Sequence, residues 1–170
     1  MTPLTGPALL RRDHDLSSFT SGVSTLDEWL RKRALKNAIF GATKTYVTCE
    51  HATMRVVGFY SLCAAQILRS EVPGNMSRNM PTEIPCALLG RLAVDAHFQR
   101  RGIARALLFH ALNKTRLAAQ QIGIRALYVH AINDQAALFY ESFGFKRLPV
   151  ETPTYAIDLL DFNDVPLAAT

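Results

Sequence analysis

Apolar positions recur along this chain with two different periods, and each change of period marks a new element. In "STLDEWLRKRALKN" the residues Leu26, Trp29, Leu30 and Ala34 return at three- and four-residue steps, which predicts an amphipathic helix. Ser24 stands three residues before Asp27, a spacing that resembles a capping box with its acid in the first turn. A second short helical piece is expected through Ala38 to Phe40, stopping at Gly41. "KTYVTCE" and "RVVGFYSLCAAQI" are rich in β-branched and aromatic residues and lie either side of "HAT", which predicts a β-hairpin.

The second half of the chain alternates between strand and helix signals. "LLGRLAVD" is short and Leu/Val-rich and reads as a buried strand. From Ile103 onward Ala104, Leu107, Leu108, Ala111 and Leu112 restore the helical period, with an end expected near Gly123. "RALYVH" reads as a strand, and "NDQAALFYESFGF" as a helix that Asn133 can cap and Gly144 can terminate. "TPTYAIDLL" closes the pattern as a strand before a short C-terminal tail. Between hairpin and buried strand runs "LRSEVPGNMSRNMPTEIP", with three prolines and no period. Most connections are only about 4–6 residues, so this one is expected to be mobile or functional. The order implies an α/β chain with a mixed, α+β-like sheet covered by helices. Its parallel pair, "LLGRLAVD" and "RALYVH", is joined by the long helix.

Composition narrows the class. At 170 residues one domain is expected over 1–170, with its core at about 10–160, and the chain is too short to expect two. Charge interrupts every apolar run before the roughly 18 residues of a membrane span. The N-terminal "MTPLTGPALLRRDHD" carries its arginines after its apolar stretch, the reverse of a secretory signal. Cys49, Cys63 and Cys86 are odd in number and far apart, without metal-type spacing, so reduced thiols of a cytoplasmic protein and no metal are expected. A net charge of +5 and a pI near 9.4 suggest an anionic partner: nucleic acid, an acidic cofactor or an acidic protein surface.

The segment "DAHFQRRGIARALLFHAL" gives that charge a place. A strand, a basic turn with one glycine and a helix start form a common arrangement for holding phosphate. First-turn amides lack partners inside the helix and sit at the positive end of its dipole. The alternative is a plain connection with solvated arginines.

Gln99-x-x-Gly102-x-Ala104, between strand and helix, resembles the Q/R-x-x-G-x-G/A signature of the GNAT acyltransferases, a family of acetyl-CoA-dependent N-acetyltransferases. "NDQAALFYESFGF" resembles their second hallmark, an Asn followed by a Phe-Tyr-x-x-x-Gly-Phe helix end. "FTSGVSTLDEWLRKRALKNAIFGATKTYVTCE", "RVVGFYSLCAAQI" and "LLGRLAVDAHFQRRGIARALL" are further similar to the GNAT toxins of bacterial toxin–antitoxin modules. Those proteins acetylate the α-amine of the amino acid on charged tRNA and so block translation, and their antitoxin usually has a ribbon–helix–helix DNA-binding part. "NAIFGAT" departs from that branch in being more apolar.

The resemblance implies a GNAT fold, a mostly antiparallel central sheet whose parallel strands splay apart, with acetyl-CoA in the wedge. It further implies that the backbone of Leu92, Ala93 and Val94 pairs with the pantetheine arm. Amides of Gln99, Arg100, Arg101, Gly102, Ile103, Ala104 and Arg105 would cradle the pyrophosphate, and the two arginines would add charge or simply be solvated. Tyr140 is the expected proton donor to the leaving thiolate, with plain packing as the alternative. Asn133 either bonds the cofactor or caps its helix. Aminoacyl-tRNA as substrate, a ribbon–helix–helix antitoxin and a homodimer are the implied partners, with no membrane.

A general base is not evident. "LLGRLAVD" offers Gly90 and Arg91 near its centre and no carboxylate before Asp95, while Glu83 is expected in the proline-rich loop. A lysine amine titrates near 10.4 and needs a base, whereas an α-amine titrates near 7.7 and is partly neutral already. Water or a backbone carbonyl could then take the proton. Lys32, Arg33, Lys36, Lys44, Arg78 and Arg91 are the expected phosphate contacts to tRNA, with solvated or salt-bridged side chains as the alternative. Two rival functions remain at this point. One is a GNAT acting on a small amine, an antibiotic or a protein N-terminus. The other is a catalytically idle domain that binds CoA or a partner.

Overall fold

The computed structural model describes residues 2–162; the expected C-terminal tail lies outside them. The chain divides into two compact units, Met1–Cys63 with Gly90–Ala111, and Ala64–Leu89 with Leu112–Thr170. It forms β1 (Ala8–Leu9), α1 (Ser24–Trp29), a π-helical turn Leu30–Ala34, α2 (Leu35–Ile39), β2 (Lys44–Cys49), β3 (Val56–Leu68), α3 (Gly74–Ser77), β4 (Glu83–Val94), α4 (Ile103–Ala119), β5 (Ala126–His130), α5 (Asp134–Ser142), β6 (Lys146–Arg147) and β7 (Thr154–Asp158). The seven strands follow the order β1-β2-β3-β4-β5-β7-β6, and β3 and β4 contribute residues to both units. The expected mixed sheet is therefore present, with β4 and β5 as its parallel pair.

In the first unit the hairpin forms as expected, from Lys44↔Leu62 to Cys49↔Val56. β1 adds to its edge through Ala8↔Val47, an unpredicted strand too short to carry a period. Leu30 and Ala34, with Leu26 and Trp29 against them, pack on Phe19, Val47 and Phe59, so the predicted helix face is the buried one. The helix start differs from the capping-box reading. Val23 is the cap, Ser24 is the first helical residue, and Asp27 accepts instead from the Ser21 amide (3.0 Å) and hydroxyl (2.6 Å). An acid in the first turn suits the helix dipole wherever its donor comes from. The expected second piece is α2, which contains Ala38 and follows the π-helical turn without a break; Phe40 and Gly41 end it. Gly58 of β3 lets α4 come close, since a Cβ there would meet Leu107 Cδ1 at 3.0 Å and Ile103 Cγ2 at 3.1 Å.

In the second unit β4 and β5 pair from Cys86↔Ala126 to Leu88↔Tyr128, and β7 pairs antiparallel with β5. β4 begins at Glu83, so this residue opens a strand and is not in the loop. The proline-rich stretch is held down by its own side chains. Val72 and Met76 are buried with Ile67, Ile84 and Tyr128, and Arg69 bonds Met80 O at 2.8 Å. Arg125 grips Asp158 through two bonds of 2.9 Å and reaches Asn75 O at 3.1 Å. The helix α4 stops at Ala119, short of Gly123.

Candidate active site

The turn between β4 and α4 is built by side chains that bond main chain. Asp95, fully buried, accepts from the Thr20 amide (3.0 Å), the His97 amide (3.0 Å) and His97 Nδ1 (3.0 Å), with Arg55 at 3.5 Å. Burial alone would raise its pKa, but these donors outweigh it and hold the carboxyl below its ordinary value. Asp95 thereby ties the Thr20 and His97 segments to the turn. Phe98 is buried, with the Arg55 and Arg101 guanidiniums 5.5 and 5.0 Å from its ring centroid. Gln99 is exposed, but its Nε2 donates to Ser21 O (2.9 Å) and Val94 O (3.0 Å). Its side chain therefore fastens the turn.

Two left-handed residues then shape the turn, Arg100 at φ +63° and Gly102 at +80°. A non-glycine residue there is strained by about 1–2 kcal/mol, so Arg100 is held in place by its surroundings. The first bond inside α4 runs from Ala106 N to Gly102 O at 3.1 Å, and the amides ahead of it open the helix. Val94, Phe98, Gln99, Arg100, Gly102, Ile103, Ala104 and Arg105 line one cleft of about 340 Å³. Nothing stands within 4 Å of a Cβ built on Gly102, so the main chain there is open to a ligand. Arg101 lines a second cleft of about 300 Å³ with Leu4, Thr5, Gly6 and Pro7, residues without a sequence signal. Leu92 is half-buried, and Ala93 belongs to the core, so any ligand contact from Ala93 must come from its backbone.

In the second unit Asn133 Oδ1 accepts from Ala136 N at 2.8 Å and starts α5 as expected. Tyr140 is buried on that helix, 5.3 Å from the Phe139 ring and 5.6 Å from Phe145 between centroids. Burial pushes its phenol up to about 12, so it holds its proton throughout the physiological range and can donate it. Gly144, at φ +96°, ends the helix region as predicted.

The expected tRNA contacts fare unequally. Lys32, Arg33 and Lys36 are exposed in the first unit, Lys32 lying 3.9 Å from Glu28. Lys44 is exposed and reaches Ala38 O at 3.3 Å. Arg91 is half-buried, its guanidinium 4.1 Å above the Trp29 ring, and burial lowers its pKa. Arg78 is exposed in the second unit. Glu83, the carboxylate considered as a base, is exposed at the start of β4.

Residues 42–147 match the family model described as an acetyltransferase (GNAT) domain. The chain is 42% identical over 151 residues to the "tRNA-acetylating toxin" of Mycobacterium tuberculosis (strain ATCC 25618 / H37Rv), covering 89% of this chain and 90% of that protein. It is similar to the solved structure of AtaT complexed with acetyl-methionyl-tRNAfMet, with a TM-score of 0.88 at 30% identity, covering 94% of this chain and 97% of that one. A mutant AtaT toxin bound to the C-terminus of the antitoxin AtaR and acetyl-CoA superposes with a TM-score of 0.79 at 28% identity, covering 94% and 95%.

Proposed function

The chain belongs to the acetyltransferase (GNAT) family, and from that premise we propose that it moves acetyl from acetyl-CoA to the α-amine of the amino acid on a charged tRNA. Such capping silences translation, which makes the protein a toxin. The acetyl-transfer half of this reading rests on one observation, the open main chain at Gly102 where α4 begins. A diphosphate is satisfied there by backbone N–H groups and the helix dipole, without a dedicated cation. The amides from Gln99 to Arg105 supply those donors, Arg100 and Arg101 add charge, and the backbone of Leu92 to Val94 holds the pantetheine arm. Tyr140 gives its proton to the departing thiolate, and burial keeps that proton on the phenol at neutral pH until it is needed.

The acceptor follows from the mycobacterial relative's name and from charge. Lys32, Arg33, Lys36, Lys44 and Arg91 would contact phosphate from the first unit, and Arg78 from the second. Contacts of this kind carry affinity and salt dependence rather than sequence reading. Partners of the same reading are an antitoxin with a ribbon–helix–helix part and a second copy of the chain. The cytoplasm is the compartment that holds this substrate, and no helix among the described residues is long and apolar enough to cross a membrane.

The test mixes the protein with labelled acetyl-CoA and a panel of charged tRNAs, with polyamines and N-terminal peptides as controls. Label on aminoacyl groups supports the reading. Label only on the small amines or peptides returns the protein to the other GNAT class, and no label anywhere returns it to the idle class.

A further inference from the structure

One cavity shares no lining residue with the cleft at the Gly102 turn and has no role in the account above. It belongs wholly to the second unit, measures about 280 Å³, and is lined by residues that include Ile67, Glu71, Tyr128, His130, Glu151 and Thr154. That size is near the lower end of small-molecule pockets, about 300–1,000 Å³, and suits a group as small as one amino acid. Its floor is apolar through Ile67 and Tyr128, which are buried, and two carboxylates line it. Carboxylates repel RNA phosphates and attract an ammonium, so the cavity fits the amino acid rather than the nucleic acid that carries it.

His130 ends β5 directly across from Thr154 of β7. Its Nδ1 is 3.0 Å from Thr154 Oγ1, and that hydroxyl also donates to Thr152 O at 2.9 Å. A hydroxyl has one proton, and a carbonyl can only accept. With the proton committed to Thr152 O, the Thr154 oxygen must accept from His130. A neutral imidazole in this place carries its hydrogen on Nδ1 and presents a lone pair at Nε2. The Tyr128 ring meets the imidazole edge-on at 5.7 Å and limits its rotation.

We propose that His130 Nε2 is the base that takes the proton from the acceptor amine, and that this cavity receives the aminoacyl group. The proposal rests on the reading under Proposed function. The amine nitrogen attacks the thioester carbonyl carbon, the N–C bond forms and the C–S bond breaks. The proton leaving nitrogen goes to His130 Nε2, and the sulfur takes one from the Tyr140 hydroxyl. Solvent then returns the proton from imidazolium to tyrosinate, so the products are an N-acetylated amino acid and CoA thiol. The α-amine needs this help because the carboxylates that attract it also favour its charged form. The other ionisable groups that line the cavity are Glu71, Tyr128 and Glu151.

The experiment measures acetyl transfer to charged tRNA against pH for the wild type, His130→Ala and His130→Gln, each first shown to be folded by its thermal transition. Both variants are expected to lose about 100-fold or more in kcat with KM for acetyl-CoA unchanged. The acidic limb of the pH–rate profile should disappear in both, and added imidazole should restore part of the activity of His130→Ala. Thr154→Val, which removes the fixing oxygen and keeps the ring, should lose less. An active wild type with an equally fast, folded His130→Gln and an unmoved pH profile overturns the proposal. So does a rate loss found instead in Glu71→Gln or Glu151→Gln. A wild type inert toward every charged tRNA defeats the parent reading, an outcome visible before any variant is made.

Discussion

The turn from Asp95 to Gly102 and the segment from His130 to Tyr140 solve different problems with different parts of the chain. In the turn, charged and polar side chains are spent on scaffolding: Asp95 holds Thr20 and His97, Gln99 holds Ser21 and Val94, and Arg55 covers Phe98. What remains open there is backbone, well matched to a diphosphate whose charge is fixed. From His130 to Tyr140 the balance is reversed. Asn133 starts a helix, while in the proposed mechanism the phenol and the imidazole are the side chains that pass protons. A binding surface can be built from groups that never change state, whereas a proton-transfer surface cannot. Breaking each kind of part should therefore give a different symptom.

The largest effect is expected from Tyr140→Phe. Removing a general acid commonly lowers rate by 10²–10⁴, about 3–5 kcal/mol of barrier. Acetyl transfer to charged tRNA should fall by this order, while acetyl-CoA affinity, followed by calorimetry, stays within twofold. The phenol also makes a pH statement. Its folded pKa of about 12 lies above the ordinary value of about 10, so its share of stability is intact below pH 10 and is lost as pH rises toward 12. Tyr140→Phe should flatten that alkaline loss in unfolding measurements. An equal fall in cofactor affinity would mean that the two regions are one.

Next comes Asp95→Asn, which keeps the shape and removes the charge. Bonds to a buried charged acceptor contribute about 1.5–3 kcal/mol, and leaving their donors unmatched should destabilise the fold by about 2–3 kcal/mol in denaturant titration. Because the folded carboxyl titrates below its ordinary value of about 4, its contribution is present above that pH and is lost on acidification through the folded value. The variant should show a shallower acid limb than the wild type and weaker acetyl-CoA binding, since the turn loses its strut. Unchanged stability at pH 7 would deny Asp95 its scaffolding role.

How much of this was legible depends on how far apart the partners are in sequence. The Gly102 turn could be read because its signal is local: a strand, one glycine and a helical period within twenty-five residues. The buried face of Leu26, Trp29, Leu30 and Ala34 could be read for the same reason, and survived even a π-helical turn within it. The side-chain bond of Gln99 could not, because its partner Ser21 lies 78 residues away, and the Thr20 clasp on Asp95 spans 75. His130 was silent because only strand pairing brings Thr154 across from it. β1 and β6, two residues each, are too short to carry any period.

Gly102→Ala tests the turn more gently. Space is not the obstacle, since nothing lies within 4 Å of the added Cβ, but the backbone at φ +80° disfavours any side chain by about 1–2 kcal/mol. The methyl would also stand in the cleft that Val94, Phe98 and Ile103 line. Acetyl-CoA affinity should drop about tenfold and stability by about 1 kcal/mol. A variant that loses stability and binds as before would move the diphosphate away from Gly102.

The smallest effect separates capping from ligand contact at Asn133. Its Oδ1 bonds Ala136 N at 2.8 Å, and losing an N-cap oxygen costs about 1 kcal/mol, so Asn133→Ala should unfold slightly earlier in denaturant. That loss alone cannot say whether the residue also touches the cofactor. Asn133→Asp can, because it keeps a good cap and an acid favoured by the helix dipole while deleting the amide N–H groups. Stability should return to the wild-type level in this variant. If the cap is the whole role, acetyl-CoA affinity is unchanged as well, and the segment from His130 to Tyr140 acts on protons without gripping the cofactor through Asn133. A drop in affinity confined to Asn133→Asp would instead give that segment a share of the binding that the comparison assigns to the turn.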